Sequence, residues 1–177
     1  MNTALQTQKI RYSLNTFLSS FPSAAILDSQ GNILACKIAT PEDLGIFVTL
    51  FKTTQKYFKM GPGDFVISND PTSGASKPLD ISFISCWQIG GQSYYLINIV
   101  NTSQPTTNWS EVLRIPPTPI VQGKHINDTI LLAIQSHPQC PPELASLIKK
   151  TVVRIQQEIN LLQKFYSQTV PLFATAN

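Results

Sequence analysis

The sequence predicts an α+β fold: a hairpin-rich mixed or antiparallel sheet packed by helices, with a long C-terminal helix. Three observations carry this. Short apolar runs are joined in pairs by glycine-containing connectors, Asp28 to Asn32 and Gly90-Gly91, which is the pattern of β-hairpins. Thr40, Pro41 and Asp43 stand at the spacing of a helix start ahead of an apolar stripe. From Leu144 to Tyr166 the apolar residues recur every three or four positions, the period of one helix face.

Taken in order, Thr3 to Ser20 reads as a helix with Leu5, Ile10, Leu14, Phe17 and Leu18 roughly on one face, ended by Pro22. Ala24 to Leu27 and Ile33 to Cys36 form the first hairpin. The next helix has Thr40 as N-cap, Pro41 at its first position and an apolar face of Leu44, Phe47, Val48, Phe51, Phe58 and Tyr57; Gly61-Pro62-Gly63 stops it. Asp64 to Ser68, Ile81 to Gln88 and Tyr94 to Val100 are strands, the last two a hairpin. Asn101 to Ser110 is polar and irregular, and three prolines hold Ile115 to Pro119 extended. Asn127 caps a short helix, Pro138 to Pro142 breaks it, and the long helix runs from Pro142 to Ser167.

Composition narrows the function classes. The 177 residues suit one domain over 1–177, and 42% hydrophobic residues are too many for a disordered chain. Thirteen basic against ten acidic residues give a net charge of +3, too weak and too dispersed for a nucleic-acid footprint or a polybasic membrane patch. Charged residues are only 13%, so the surface relies on uncharged polar groups or on a covering partner. Cys36, Cys86 and Cys140 are far apart, odd in number and form no CxxC pair, which reads as reduced cytosolic thiols. The N-terminus lacks the apolar core of a signal peptide and no run is long enough to span a bilayer, so a cytoplasmic, soluble protein is expected.

The residues with most chemistry lie in Gly61 to Asp80, GPGDFVISNDPTSGASKPLD. Asp64, Asp70 and Asp80 read either as a carboxylate cluster for a hard cation or as turn chemistry beside Gly and Pro, and turn chemistry is the simpler account. The loop Thr72 to Ser76, with Lys77, has the makings of an anion cradle, although no helix pattern follows it. Arg114, before Ile115-Pro116-Pro117, sits on a stiff segment that aims its guanidinium into a pocket or at Asp70 or Asp80, or forms an internal salt bridge. His125 and His137 read as exposed loop histidines; a nucleophilic pair of Cys140 with His137 lacks any visible oxyanion device.

Pro62-Gly63-Asp64, Asn69-Asp70-Pro71, Gly74 and Ser76-Lys77-Pro78-Leu79-Asp80 resemble, in order, the signature of the hydantoinase B/oxoprolinase family, which includes the large subunits of acetone-type carboxylases. Gly31-Asn32-Ile33-Leu34-Ala35 resembles that family's early hairpin. Glu111 with Leu113-Arg114-Ile115-Pro116-Pro117 resembles its Glu-Gly-Leu-Arg-Ile-Pro-Pro run, so the likeness covers Ala24 to Phe165. The resemblance implies a divalent metal and a partner, a hydantoinase A-like subunit, that carries ATP chemistry on cyclic amides. It also implies histidines where this chain has Lys77, Asn101 and Thr102, and a His-Leu-Gly where it has Asp43-Leu44-Gly45. Imidazoles supply most of the affinity of such a site, and an ammonium repels a cation, so no metal or other cofactor is expected here.

The leading expectation is a shortened relative with an eroded metal site, acting as a non-catalytic assembly or binding component, as a homo-oligomer or with the partner subunit. The alternatives are a partner-dependent, ATP-coupled hydrolase subunit of the hydantoin or 5-oxoproline class, and a stand-alone small-anion-binding protein. Candidates for chemistry are Asp80, Lys77 and Arg114; candidates for ligand binding are Asn69, Asp70, Gly74, Ser76, Asn98 and Asn101.

Overall fold

The computed structural model describes residues 12–75, 77, 80–102 and 112–169. A helix, α1, covers residues 12–19; the part of the expected N-terminal helix before it lies outside the described residues. The first hairpin follows as β1 (Ser23–Asp28) and β2 (Ile33–Lys37), paired antiparallel. Asp28 closes its turn, its carboxylate accepting the amides of Gln30 and Asn32 at 2.8 and 2.9 Å. Gly31 adopts φ +82°, and a Cβ there would lie 2.8 Å from the Phe51 ring, so glycine is required twice over.

Helix α2 (Asp43–Tyr57) begins three residues after the expected cap. Thr40 does not cap it with its hydroxyl. The Asp43 carboxylate instead reaches back to the Ala39 and Thr40 amides and the Thr40 hydroxyl, so the capping turn forms with the roles of its side chains reversed. Phe47, Leu50 and Phe51 are its buried face, whereas Leu44 and Tyr57, expected on that face, are 41% and 63% exposed.

Then come β3 (Phe65–Ser68), a 3-10 turn at Pro71–Ser73, and the long hairpin of β4 (Asp80–Ile89) and β5 (Gln92–Asn101). Residues 113–117 form neither helix nor strand and lead into β6 (Thr118–Gln122) and β7 (His125–Ile126). Strand β6 is not legible in the sequence because Pro119 interrupts it. The ladder accommodates Pro119 at a register shift between Phe65 and Val66, where a missing N–H is tolerated. Asn127 caps α3 (Asp128–Gln135) as expected, its Oδ1 accepting the Ile130 amide at 3.1 Å, and α4 (Leu144–Thr169) closes the described chain.

Among the described residues all strand pairs are antiparallel, in one seven-stranded sheet ordered β2-β1-β5-β4-β3-β6-β7. The period of two along each strand sends alternate residues to opposite faces, and both faces are covered. On one, Ile26, Phe83, Trp87 and Leu96 meet Leu18 of α1 and Ile148, Ile155 and Ile159 of α4. On the other, Leu27, Ile84, Cys86 and Ile97 meet Phe47, Leu50 and Phe51 of α2. Double coverage explains why β4 reads as a near-continuous buried run instead of an apolar–polar alternation.

Candidate functional site

Strand register gathers polar residues at one end of the sheet, on the α2 face. Asp80 opens β4 and lies opposite Asn101, the last residue of β5. The Asn101 amide donates to the Asp80 carboxylate at 2.9 Å; Asp80 is buried and Asn101 exposed. One row inward, Ser23, Ile99, Ser82 and Ser68 lie side by side across β1, β5, β4 and β3. The Ser23 hydroxyl donates to the Asp43 carboxylate at 2.6 Å, which ties the start of α2 to this end of the sheet. Burial pushes the Asp43 carboxyl up, but its hydrogen bonds from Ser23, Thr40 and Ala39 outweigh that and hold it below the ordinary 3.8. Sequence reasoning missed Ser23 and Ser82; a serine inside an apolar strand run is the signal that was available.

Lys77 is exposed one turn before Asp80, and its carbonyl accepts the Asp80 amide at 2.9 Å. Asp70 organises the adjoining turn. Its carboxylate accepts the Thr72 amide and the Thr72 and Ser73 hydroxyls, at 3.0, 2.6 and 3.0 Å. Partial burial raises the Asp70 carboxyl, but the Thr72 and Ser73 bonds and the Arg114 charge bring it below its ordinary value.

Four amides of the expected anion cradle already have acceptors. The amides of Thr72, Ser73, Gly74 and Ala75 all donate to Asp70 or Pro71. Gly74 itself is left-handed (φ +92°) and pressed on α2: a Cβ would meet Thr49 Cγ2 at 2.7 Å. Ser76 lies outside the described residues.

Asn69 is a joint. Buried at the end of β3, it donates from Nδ2 to the Leu113 carbonyl at 2.7 Å and accepts the Ile115 amide at 2.5 Å; its own amide donates to the Ile115 carbonyl at 3.0 Å. Two of the collinear signature runs therefore fit into each other. Asp64 acts similarly, its carboxylate accepting the Gly61 amide at 2.7 Å and the Gly123 amide at 2.8 Å and so joining the turn before β3 to the β6–β7 turn. Asn98 is 2% exposed and alternates with Ile97 and Ile99, so it faces the α4 side, away from Asp80 and Asn101. Asp80, Asn101, Asp70 and Lys77 thus share one end of the sheet, and the charge of Arg114 reaches Asp70.

The Asp80 carboxylate receives the Asn101 amide, Lys77 stands three residues earlier, and among the described residues no three His, Cys, Asp or Glu side chains are grouped to hold a metal. The other cysteine and histidine candidates are ordinary. Burial pushes the Cys86 thiol up to about 11, and the His137 Nδ1 accepts the Gln139 amide at 3.2 Å while Cys140 turns to the Pro141 carbonyl. Clefts lie on the α4 side, one of about 500 Å³ between α3 and α4 lined by Leu131, Leu132 and the Asp128–Lys149 pair, and a more apolar one of about 290 Å³ between α1 and α4. No helix among the described residues is long and apolar enough to cross a membrane.

A family model described as hydantoinase B/oxoprolinase matches residues 6–169. No curated protein sequence matches the chain. Among solved structures, the ATP-dependent caprolactamase from Pseudomonas jessenii is similar in fold, with a TM-score of 0.74 at 15% identity. The match covers 96% of this chain and 36% of the caprolactamase chain.

Proposed function

Because the chain belongs to the hydantoinase B/oxoprolinase family, we propose that it is a non-catalytic assembly or binding component of a cyclic-amide hydrolase or carboxylase-type system. The observation that carries this reading is the Asp80–Asn101 pair. Where the family resemblance calls for imidazoles around a carboxylate, this chain puts an amide in direct contact with it and an ammonium one turn away. Such a set keeps the family's architecture at that end of the sheet but does not furnish the ligands for a transition metal. A divalent metal would supply Lewis acidity to a relative that binds one. Asp80 and Asn101 instead orient each other, and Asp43 and Ser23 lock α2 beside them.

The assembly role rests on the surface. Tyr12 and Leu161, beside the α1–α4 cleft, are 75% and 63% exposed on a chain with few charges. That combination suits contact with a second copy or with a hydantoinase A-like subunit that brings ATP. Metal analysis after loading and desalting tests the reading: less than stoichiometric manganese and zinc is expected. A stoichiometric ion lost on Asp80→Ala overturns it, as does ATP-dependent hydrolysis of a hydantoin or 5-oxoproline by the chain with its partner.

A further inference from the structure

We propose that Arg114 anchors an external carboxylate and that Asn69 is its positioning residue; the inference deepens, and rests on, the reading of this chain as a binding component. Alternation along the Leu113–Ile115 segment sets the direction. Leu113 and Ile115 are buried in the core beneath α4, so Arg114 between them points outward and is exposed. Both flanking peptide units are fixed by Asn69, through the Leu113 carbonyl at 2.7 Å and the Ile115 amide at 2.5 Å. The Ser68 hydroxyl adds a bond to the Ile115 carbonyl at 3.1 Å. Pro116 and Pro117 follow, with φ restricted by their rings. The Arg114 backbone is therefore held as firmly as a strand residue, although the segment is not itself a strand.

Among the described residues Arg114 makes no ion pair or hydrogen bond, and the one ion pair found there is Lys149 with Asp128. Asp70 feels its charge, but both Asp70 oxygens are committed to Thr72 and Ser73. A planar fork of donors with its backbone fixed in advance suits a carboxylate, which it grips with two parallel bonds. The charges of Asp70, which feels that of Arg114, and of Asp80, at the same end of the sheet, disfavour a phosphate dianion more than a carboxylate monoanion. The carboxylate has two sources, a small organic acid or an Asp or Glu side chain of a partner polypeptide. The same fork takes either.

The test follows the Arg114 Nε–Hε resonance of the full chain by NMR at constant ionic strength. Sodium glutarate, a short Glu-Glu peptide and sodium phosphate are titrated in separate arms. A saturable shift with glutarate identifies a small-acid site, and one with the peptide alone identifies a protein-borne carboxylate. Arg114→Lys, at an exposed position, is expected to fold normally and to weaken the binding by about tenfold. Asn69→Asp keeps one acceptor for the Ile115 amide; it should weaken binding while Arg114→Lys in that background adds little. If Asn69→Asp does not fold, Ser68→Ala, which removes one bond to the same segment, takes its place with the same expectation. Linear, non-saturable shifts in both carboxylate arms, tighter binding of phosphate, or equal affinity in Arg114→Lys would overturn the proposal. Stoichiometric metal binding, measured separately, would overturn the functional reading and leave the Arg114 result standing.

Discussion

Asp43, Asp64, Asn69 and Asp70 spend their side chains on backbone amides, carbonyls and nearby hydroxyls and so act as joints of the fold. Asn69 has the largest consequence. Asn69→Ala strips partners from a buried carbonyl and a buried amide, and a loss of about 2–4 kcal/mol is expected in urea unfolding. Asp43 gives a pH signature. Its folded carboxyl titrates below the ordinary 3.8, so its contribution is fully present above that value and is lost as pH falls through the lower folded value. Asp28 and Asp70 are lowered too, Asp28 mainly by the Asn32 side chain, and add in the same direction. Thermal melts should therefore fall off below about pH 4, and Asp43→Asn should flatten that limb while lowering the neutral-pH melting temperature. An unchanged acid limb in Asp43→Asn would show that the carboxylate is not linked to folding.

At the scale of elements, the loop after β3 depends on a close approach. Gly74→Ala forces a side chain into a left-handed conformation and onto Thr49 Cγ2, and should cost about 1–3 kcal/mol. Thr49→Ala in the same chain should recover part of that loss in denaturant melts, because it removes the atom in the way. Helices and hairpins with strong local codes were legible: the Asp28 turn, the Asn127 cap and the three-four period of α4 all stand where the residues put them. Strand β6 was not, because local rules exclude Pro119 from a ladder and only the register shift beside Val66 readmits it. The α2 start was displaced for a similar reason. Asp43 satisfies the turn from inside the helix and also bonds Ser23, twenty residues earlier, a partner no local pattern can reveal.

For the whole molecule, one sheet carries two cores of unequal kind. The α4 side is built from a long helix, and its inner face should dominate stability. Ile155→Ala, fully buried, should cost about 2–5 kcal/mol, whereas Leu161→Ala on the same helix, 63% exposed, should change stability by less than about 0.5 kcal/mol. Equal effects would mean that the outer face of α4 is covered in the protein as purified.

The sequence by itself determined the α+β class, most element positions and the family, because these follow from periodicity, turn residues and collinear motifs that each act over a few positions. Tertiary structure decided which of the singled-out residues meet. Asp80 and Asn101, twenty-one residues apart, touch because β4 and β5 share a register; Asn69 reaches Leu113 across forty-four; Asn98, three residues from Asn101, is sent to the other face by the period of two. Pairings of that kind depend on how strands align across the sheet, and strand alignment is a property of the packed chain.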